Sequence, residues 1–282
     1  MTARKAGLLL AILLFGGAVE GLWTVRQRVD LGAAGCRVLG GRFTGPSFSF
    51  EEDRRLDVPA PLRVELTNAF GAVSVSQGDP GSVKLSLRKV VFLRREGEAR
   101  EFARRILLET ALDGSTLRVG TNRASLERSD GATGFETHFE LSLPPGTSLR
   151  VENDHGAVDV DDVAQADVTA SYESIRVARV AGDARITSRH GDVKLSQVSG
   201  SASVSSRFGD VGVADVQGPG RLEAERGDVT VERSGHLSLN LKHGSATLTG
   251  VDGDLELQGE HAEVNVAGVA GRATVATSFA DV

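Results

Sequence analysis

Three aspartates at a fixed interval, Asp192, Asp210 and Asp228, are the residues of this chain best spaced to do chemistry. Each follows a glycine: Gly191-Asp192-Val193-Lys194-Leu195, Gly209-Asp210-Val211-Gly212-Val213 and Gly227-Asp228-Val229-Thr230-Val231. Carboxylates in a column are hard oxygen donors, so a calcium ion between them is the chemistry they could support. The simpler reading is a solvated face on which Arg189 and Arg207 neutralise the column. The period is also not the nine-residue pattern of calcium-binding rolls. The residue before each repeat glycine, or its equivalent, forms a second column: His155, Tyr172, His190, Phe208, Arg226, His243, His261 and Phe279. Imidazole ligates metals and titrates near pH 6.5, which would suit a metal or pH-sensing column. Phe and Tyr cannot replace His in such a site, however, and only His243 and His261 fall on adjacent units. A stack of planar side chains explains all eight positions.

No Ser/His/Asp or Cys/His constellation emerges. His138 reads as a surface residue of an alternating strand beside Glu136 and Glu140, and His236 falls at a turn. Arg226-Gly227-Asp228 spells an integrin-ligand tripeptide only because an Arg of the ring column precedes the repeat's Gly and Asp. Neither a cofactor nor a catalytic residue is expected.

The elements that position these columns are legible in the repeat. Glycine-led units begin at Gly156, Gly191, Gly209, Gly227 and Gly244, each unit taking 17 or 18 residues and the first interval spanning two of them. A second marker runs half a period out of phase: Val163, Val180, Val198, Val216, Val251 and Val269, mostly with a glycine two residues on. Within each strand the apolar residues stand two apart (Val193/Leu195, Ala202/Val204, Val211/Val213, Leu222/Ala224, Val229/Val231), so one set faces inward and the other faces water. A unit of about 18 residues at ~3.3 Å per residue closes a coil of roughly 60 Å perimeter. The expected fold is therefore all-β: a single-stranded, right-handed β-helix, or solenoid, of about 18 residues per coil, with equivalent residues stacked in ladders.

The rest of the chain is read against that array. Its 282 residues carry a net charge of −6 with both signs dispersed, which leaves no basic footprint for nucleic acid. Residues 1–28 read as an export signal or membrane anchor, forming an N-terminal hydrophobic helix: Arg4 and Lys5 precede the apolar run Ala6 to Val19, and Trp23 suits an interface. A retained anchor is preferred over a cleaved signal, and in both cases the repeats lie outside the cytoplasm, at the membrane, in the periplasm or at the cell surface. Cys36, after Ala33-Ala34-Gly35, is loosely lipobox-like but stands too far from the apolar run, and a lone cysteine excludes an internal disulfide. Residues 29–61 are a linker and first strand. Residues 62–150 form an amino-terminal β region with one capping helix, Glu96 to Thr110, whose Ala99, Phe102, Ala103, Ile106 and Leu107 share a face. Residues 151–282 are the regular repeats. They stop within a unit at Thr277 to Val282, so the expectation is a chain truncated within its array.

The hydrophobic start, the strand ending Leu141-Ser142-Leu143-Pro144-Pro145-Gly146 and the reiterated Gly-Asp-Val-x-Val units resemble a bacterial adhesin-type β-strand-repeat family, a domain of unknown function of the DUF4097 kind. The resemblance covers roughly Leu62 to Val282. It implies a β-helix displayed outside the cytoplasmic membrane, with adhesion or envelope-stress roles and no shared catalytic residues. The expected function is an envelope-associated, non-catalytic display or binding scaffold for a glycan, lipid or protein ligand. A polysaccharide-active enzyme and a structural stalk are the alternatives. The enzyme reading would need carboxylates set apart from the repeating background, whereas Asp192, Asp210 and Asp228 are that background.

Overall fold

A computed structural model describes residues 37–39, 42–130 and 133–278. The proposed anchor at 1–28, Cys36 and Phe279 lie outside the described residues, among which no helix is long and apolar enough to cross a membrane. Most of the chain winds into a β-solenoid of about 7 turns with ~18 residues per coil. Each coil contributes one strand to each of two facing sheets. Sheet 1 contains Arg63–Phe70, Ser148–His155, Gln165–Tyr172, Ala184–His190, Ala202–Phe208 and Gly220–Arg226. Sheet 2 contains Val73–Gln77, Val158–Val163, Ile175–Val180, Val193–Val198, Val211–Val216 and Val229–Ser234. Leu237–Val251 is one continuous strand that turns from the first sheet into the second, and Leu255–Glu260, Ala262–Val269 and Ala273–Ser278 follow.

Strand pairing between coils is parallel and in register: Ala184 lies on Ala202, Ala202 on Gly220, Val193 on Val211 and Val211 on Val229. The alternation seen in the sequence therefore sorts one side of every strand inward. Val193, Leu195, Val204, Val211, Val213, Leu222, Val229 and Val231 are all buried in one continuous core. Burial of each such side chain contributes about 1.5–3 kcal/mol.

One feature of the repeat is not visible in the alternation. In sheet 2 the inward residues run Val193, Leu195, Val198, a step of two and then of three. The extra residue lies in the left-handed region in every coil from Val158–Val163 onward: Asp162, Arg179, Gln197, Asp215 and Arg233 have φ between 52° and 59°, followed by Gly250 at 72° and Gly268 at 69°. It turns the backbone so that the half-period valine points inward again. A second left-handed position is the repeat glycine at the opposite corner, where Gly209 has φ +123° and a Cβ would stand 2.5 Å from the Gly191 carbonyl oxygen. Glu173 occupies this position in one coil, with φ 81°, which is why the glycine markers skip from 156 to 191.

Chain order and stacking order differ at the amino end. The coil formed by Arg63–Phe70 and Val73–Gln77 is sandwiched. On one side Val64 pairs with Leu149 and Val75 with Val160, and on the other Val64 pairs with Leu117 and Val75 with Leu141. Between these contacts the chain leaves to build a cap. Ser82–Val91 pairs antiparallel with Phe135–Leu143 and with Phe48–Asp57, and Leu108–Asp113 pairs antiparallel with Thr116–Thr121. Helix α1 (Glu96–Arg105) and helix α2 (Arg123–Asp130) lie over them, and Val91, Ala99, Phe102, Ile106, Leu126 and Phe135 form a second small core.

The capping helix is shorter than the expected Glu96 to Thr110, and a second helix accompanies it. Asn122 sets the boundary: its Nδ2 donates to the Arg105 carbonyl at 2.9 Å and its Oδ1 accepts the Leu107 N–H at 2.8 Å. The side chain thus satisfies the helix end and frees residues 108–113 to join the hairpin. Lys89 completes the closure. Its buried ammonium donates to the Ile106 carbonyl and to Glu52, both at 2.7 Å, placing a cation at the helix's negative end.

Candidate functional site

Parallel, in-register stacking turns every sequence position into a row along the axis. The ring column is such a row, and it begins one coil earlier than the eight predicted residues. Ring centroids are 4.5 Å apart for Phe70 and His155, 4.4 Å for His155 and Tyr172, 5.2 Å for Tyr172 and His190, and 4.8 Å for His190 and Phe208. The planes are tilted by 15° or less. The Arg226 guanidinium lies 5.4 Å above Phe208, and His243 stacks on His261 at 5.3 Å. At the cap end, Arg123 lies 5.0 Å from the Phe70 ring and 3.8 Å from that of Phe135. Burial lowers the Arg123 pKa against the opposing pull of Glu127. Because the ring faces cover one another, the imidazoles serve as plates in a stack rather than as a convergent ligand set.

The aspartate column is built differently from the expectation. Asp192 Oδ1 accepts the Asp210 backbone N–H at 3.0 Å, Asp210 Oδ1 accepts that of Asp228 at 2.9 Å, and Asp228 Oδ1 accepts the N–H of Ser245 at 2.9 Å and its hydroxyl at 2.7 Å. Each carboxylate caps the next coil. Arg189 and Arg207 do not neutralise this column: Arg189 donates to Ser171 Oγ at 3.3 Å and Arg207 pairs with Glu225 at 3.4 Å. The reason is directional, since both arginines project from sheet 1 whereas the aspartates sit past the corner. Among the described residues no group of three or more His, Cys, Asp or Glu is arranged to hold a metal ion.

The other turn repeats the device. Asp183 Oδ1 accepts the Ser201 backbone N–H at 2.8 Å and its hydroxyl at 2.7 Å, and these bonds, the hydroxyl first, hold the Asp183 pKa below the usual value. His236 Nδ1 accepts the Asp254 N–H at 3.0 Å, and Asp254 Oδ1 accepts that of Arg272 at 2.8 Å. His138 is not a simple surface residue. Its Nδ1 accepts the Ala72 N–H at 3.0 Å and its Nε2 stands 3.2 Å from Glu136, so it ties the cap to the first coil.

Four surface depressions lie on the outer face of sheet 1. Its central row reads, coil by coil, Arg118, Glu65, Arg150, Asp167, Arg185, Ser203, Arg221, Ser238, Glu256 and Thr274. Arginine returns at every second coil from Arg118 to Arg221. Arg118 lies 3.4 Å from Glu65, and Arg150 lies 2.9 Å from Glu152 and 3.8 Å from Asp167. The hydrogen bond to Glu152, and then the charge of Asp167, raise the Arg150 pKa. In the interval from Arg185 to Arg221 the intervening residue is Ser203 instead of a carboxylate. Arg221 is held by Glu223 at 2.8 Å, and among the described residues Arg185 has no hydrogen-bond or ion-pair partner. Three adjoining surface depressions meet at Arg185. One, of about 330 Å³, is lined by Arg185, Thr187, Ser203, Ser205, Arg221 and Glu223. A larger one, of about 660 Å³, extends past Ser201 and His236 to Arg272.

Two facing sheets of parallel strands wound from one chain define a β-solenoid whose outward rows are free to vary. Residues 107–278 match the Toastrack DUF4097 family, and the chain belongs to that family. No curated protein matches the chain in sequence. Among solved structures it is similar to a Bacteroides fragilis protein described as a "putative adhesin" (12% identity, 81% of this chain and 97% of that one, TM-score 0.31). It is similar also to a Clostridium sporogenes "putative cell adhesion protein" (10% identity, 82% and 100%, TM-score 0.29) and a Parabacteroides distasonis "putative lipid binding protein" (11% identity, 81% and 96%, TM-score 0.28).

Proposed function

We propose that this protein is an exported, envelope-associated display scaffold that binds an extended ligand along the outer face of sheet 1 without transforming it. The observation that carries this reading is the separation of constant from variable positions. Inward residues stay apolar coil after coil, whereas the outward rows of the same strands change, as in Arg185, Ser203 and Arg221 or Thr187, Ser205 and Glu223. A face of that kind offers a ligand many shallow, collinear contacts instead of one deep pocket. The acidic residues fit the same reading, because Asp183, Asp192, Asp210 and Asp228 are committed to backbone donors of the next coil. The apolar run in residues 1–28 supports export and a tether to the membrane.

The test is a binding screen of the full chain against glycan, lipid and protein arrays, run beside an assay for sugar cleavage. Saturable binding without product release is the expected result, and catalytic release of sugar fragments would overturn the reading. Export is checked by fusing a reporter that is active only outside the cytoplasm to the carboxyl end of the full chain.

A further inference from the structure

We propose that Arg185, Ser203 and Arg221 form an anion-binding subsite for an acidic glycan, one carrying carboxylate or sulfate groups. This inference rests on the reading of sheet 1 as the ligand face and names the chemistry that face selects. In the central row Arg118 pairs with Glu65 and Arg150 stands between Glu65 and Asp167, while Arg185 has Asp167 beside it on one side only, a carboxylate that already lies 3.8 Å from Arg150. Across Ser203 the pattern breaks. Two guanidinium groups flank a short hydroxyl from coils on either side, at a separation of about 9.6 Å between their strands, twice the ~4.8 Å spacing of paired strands. Arginine side chains are long enough to converge over that serine, and their planar forks match a carboxylate or sulfate oxygen pair. The Glu223 bond fixes Arg221 in place, while Arg185 has no hydrogen-bond or ion-pair partner among the described residues.

The surroundings point to a sugar polymer as the bearer of the anion. Beside the arginines the outward residues include Gln165, Thr169, Thr187 and Ser205, amide and hydroxyl groups suited to sugar hydroxyls, together with the charged Asp167, Arg189, Arg207 and Glu223. The larger depression is lined also by Ala202, Pro219, Leu237 and Leu255, so the lipid vesicles in the experiment below decide between an acyl chain and a sugar. Peptide addition to the sheet is closed off, since the strands Ala184–His190 and Ala202–Phe208 are paired on both sides. A linear glycan, polar at every unit, can lie in the rows that run along the axis.

The experiment measures binding of the full chain to polygalacturonate and heparin, with dextran as the neutral control and phosphatidylglycerol vesicles as the lipid control. The expected result is binding to at least one acidic glycan and not to dextran. Arg185→Ser and Arg221→Ser should each weaken it about tenfold, as for a lost charge-assisted hydrogen bond. Arg150→Ser, which removes an arginine already engaged by carboxylates, should leave affinity within about twofold. Ser203→Glu restores the acidic spacer and should abolish binding while the melting temperature stays unchanged. Binding that survives the Arg185→Ser/Arg221→Ser double variant overturns the proposal, as does binding to vesicles with none to acidic glycans. A neutral or protein ligand held equally well by the double variant would overturn this subsite yet leave the scaffold reading intact. Sugar cleavage would overturn the scaffold reading itself.

Discussion

At the scale of single residues, the aspartate column is a structural cap, and its chemistry predicts how it responds to substitution. Asp210→Ala removes the acceptor for the Asp228 N–H and should cost about 1 kcal/mol, whereas Asp210→Asn keeps an oxygen acceptor and should cost less than half of that. Thermal melts of the two variants check it, and added millimolar calcium should shift neither them nor the parent. The left-handed row makes the opposite kind of prediction. Gln197 is exposed and has φ 56° where Gly250 and Gly268 stand in later coils, so Gln197→Gly should raise stability by about 0.5–1 kcal/mol. Denaturant unfolding would show it as a higher midpoint with an unchanged slope. The columns themselves were legible in the sequence because each is a fixed offset from a glycine. Their bonding was not: the partner of each aspartate is a backbone N–H, which no residue type announces. The left-handed row was hidden for a related reason, since Asp162, Arg179, Gln197, Asp215 and Arg233 share a conformation but not a side chain.

At the scale of elements, helix α1 illustrates where periodicity misleads. Ile106 and Leu107 continue the helical spacing of Ala99, Phe102 and Ala103, yet Leu107 is exposed and Leu108 opens a strand. A single distant residue, Asn122, decides between the two. Lys89 and Glu52 bind the helix end to the cap's strands, and this pair predicts a pH effect. Burial pushes the Glu52 carboxyl up, but the hydrogen bond and charge of Lys89, with help from Arg54, outweigh it, so the folded pKa lies below the ordinary 4.5. Its stabilising contribution is therefore complete above the unfolded value and is lost as pH falls through the lower folded one. Glu52→Gln should be less stable than the parent at neutral pH, and the gap should narrow on going to about pH 3. Urea unfolding at the two pH values measures it. Lys89→Met, which leaves the Ile106 carbonyl without its partner, should cost about 1–3 kcal/mol at pH 3 and more at neutral pH, where the bond to ionised Glu52 is lost as well.

At the scale of the whole molecule, the regular array from Ser148 onward followed directly from period and alternation, because in a solenoid each unit repeats the same local physics. The cap did not, since its pairings join segments with no shared pattern. Burial falls off along the array. Val193, Val211 and Val229 are shielded on both sides, while Val266 and Val275 are exposed at 37% and 47%. Amide exchange should accordingly be slowest in residues 175–231 and faster by orders of magnitude in 262–278. Uniform protection along the axis would contradict it. The sandwiched first coil carries a further implication, one of timing. A chain emerging amino end first produces Arg63–Gln77 before either of the neighbours that will flank it, and its hydrogen-bonding edges stay bare until both Thr116–Leu143 and Ser148–Val163 have followed. Assembly therefore cannot proceed as a simple winding from the beginning. The oldest turn must wait for younger chain to close around it, and the interval before it does is when this protein is most open to helpers and to mispairing.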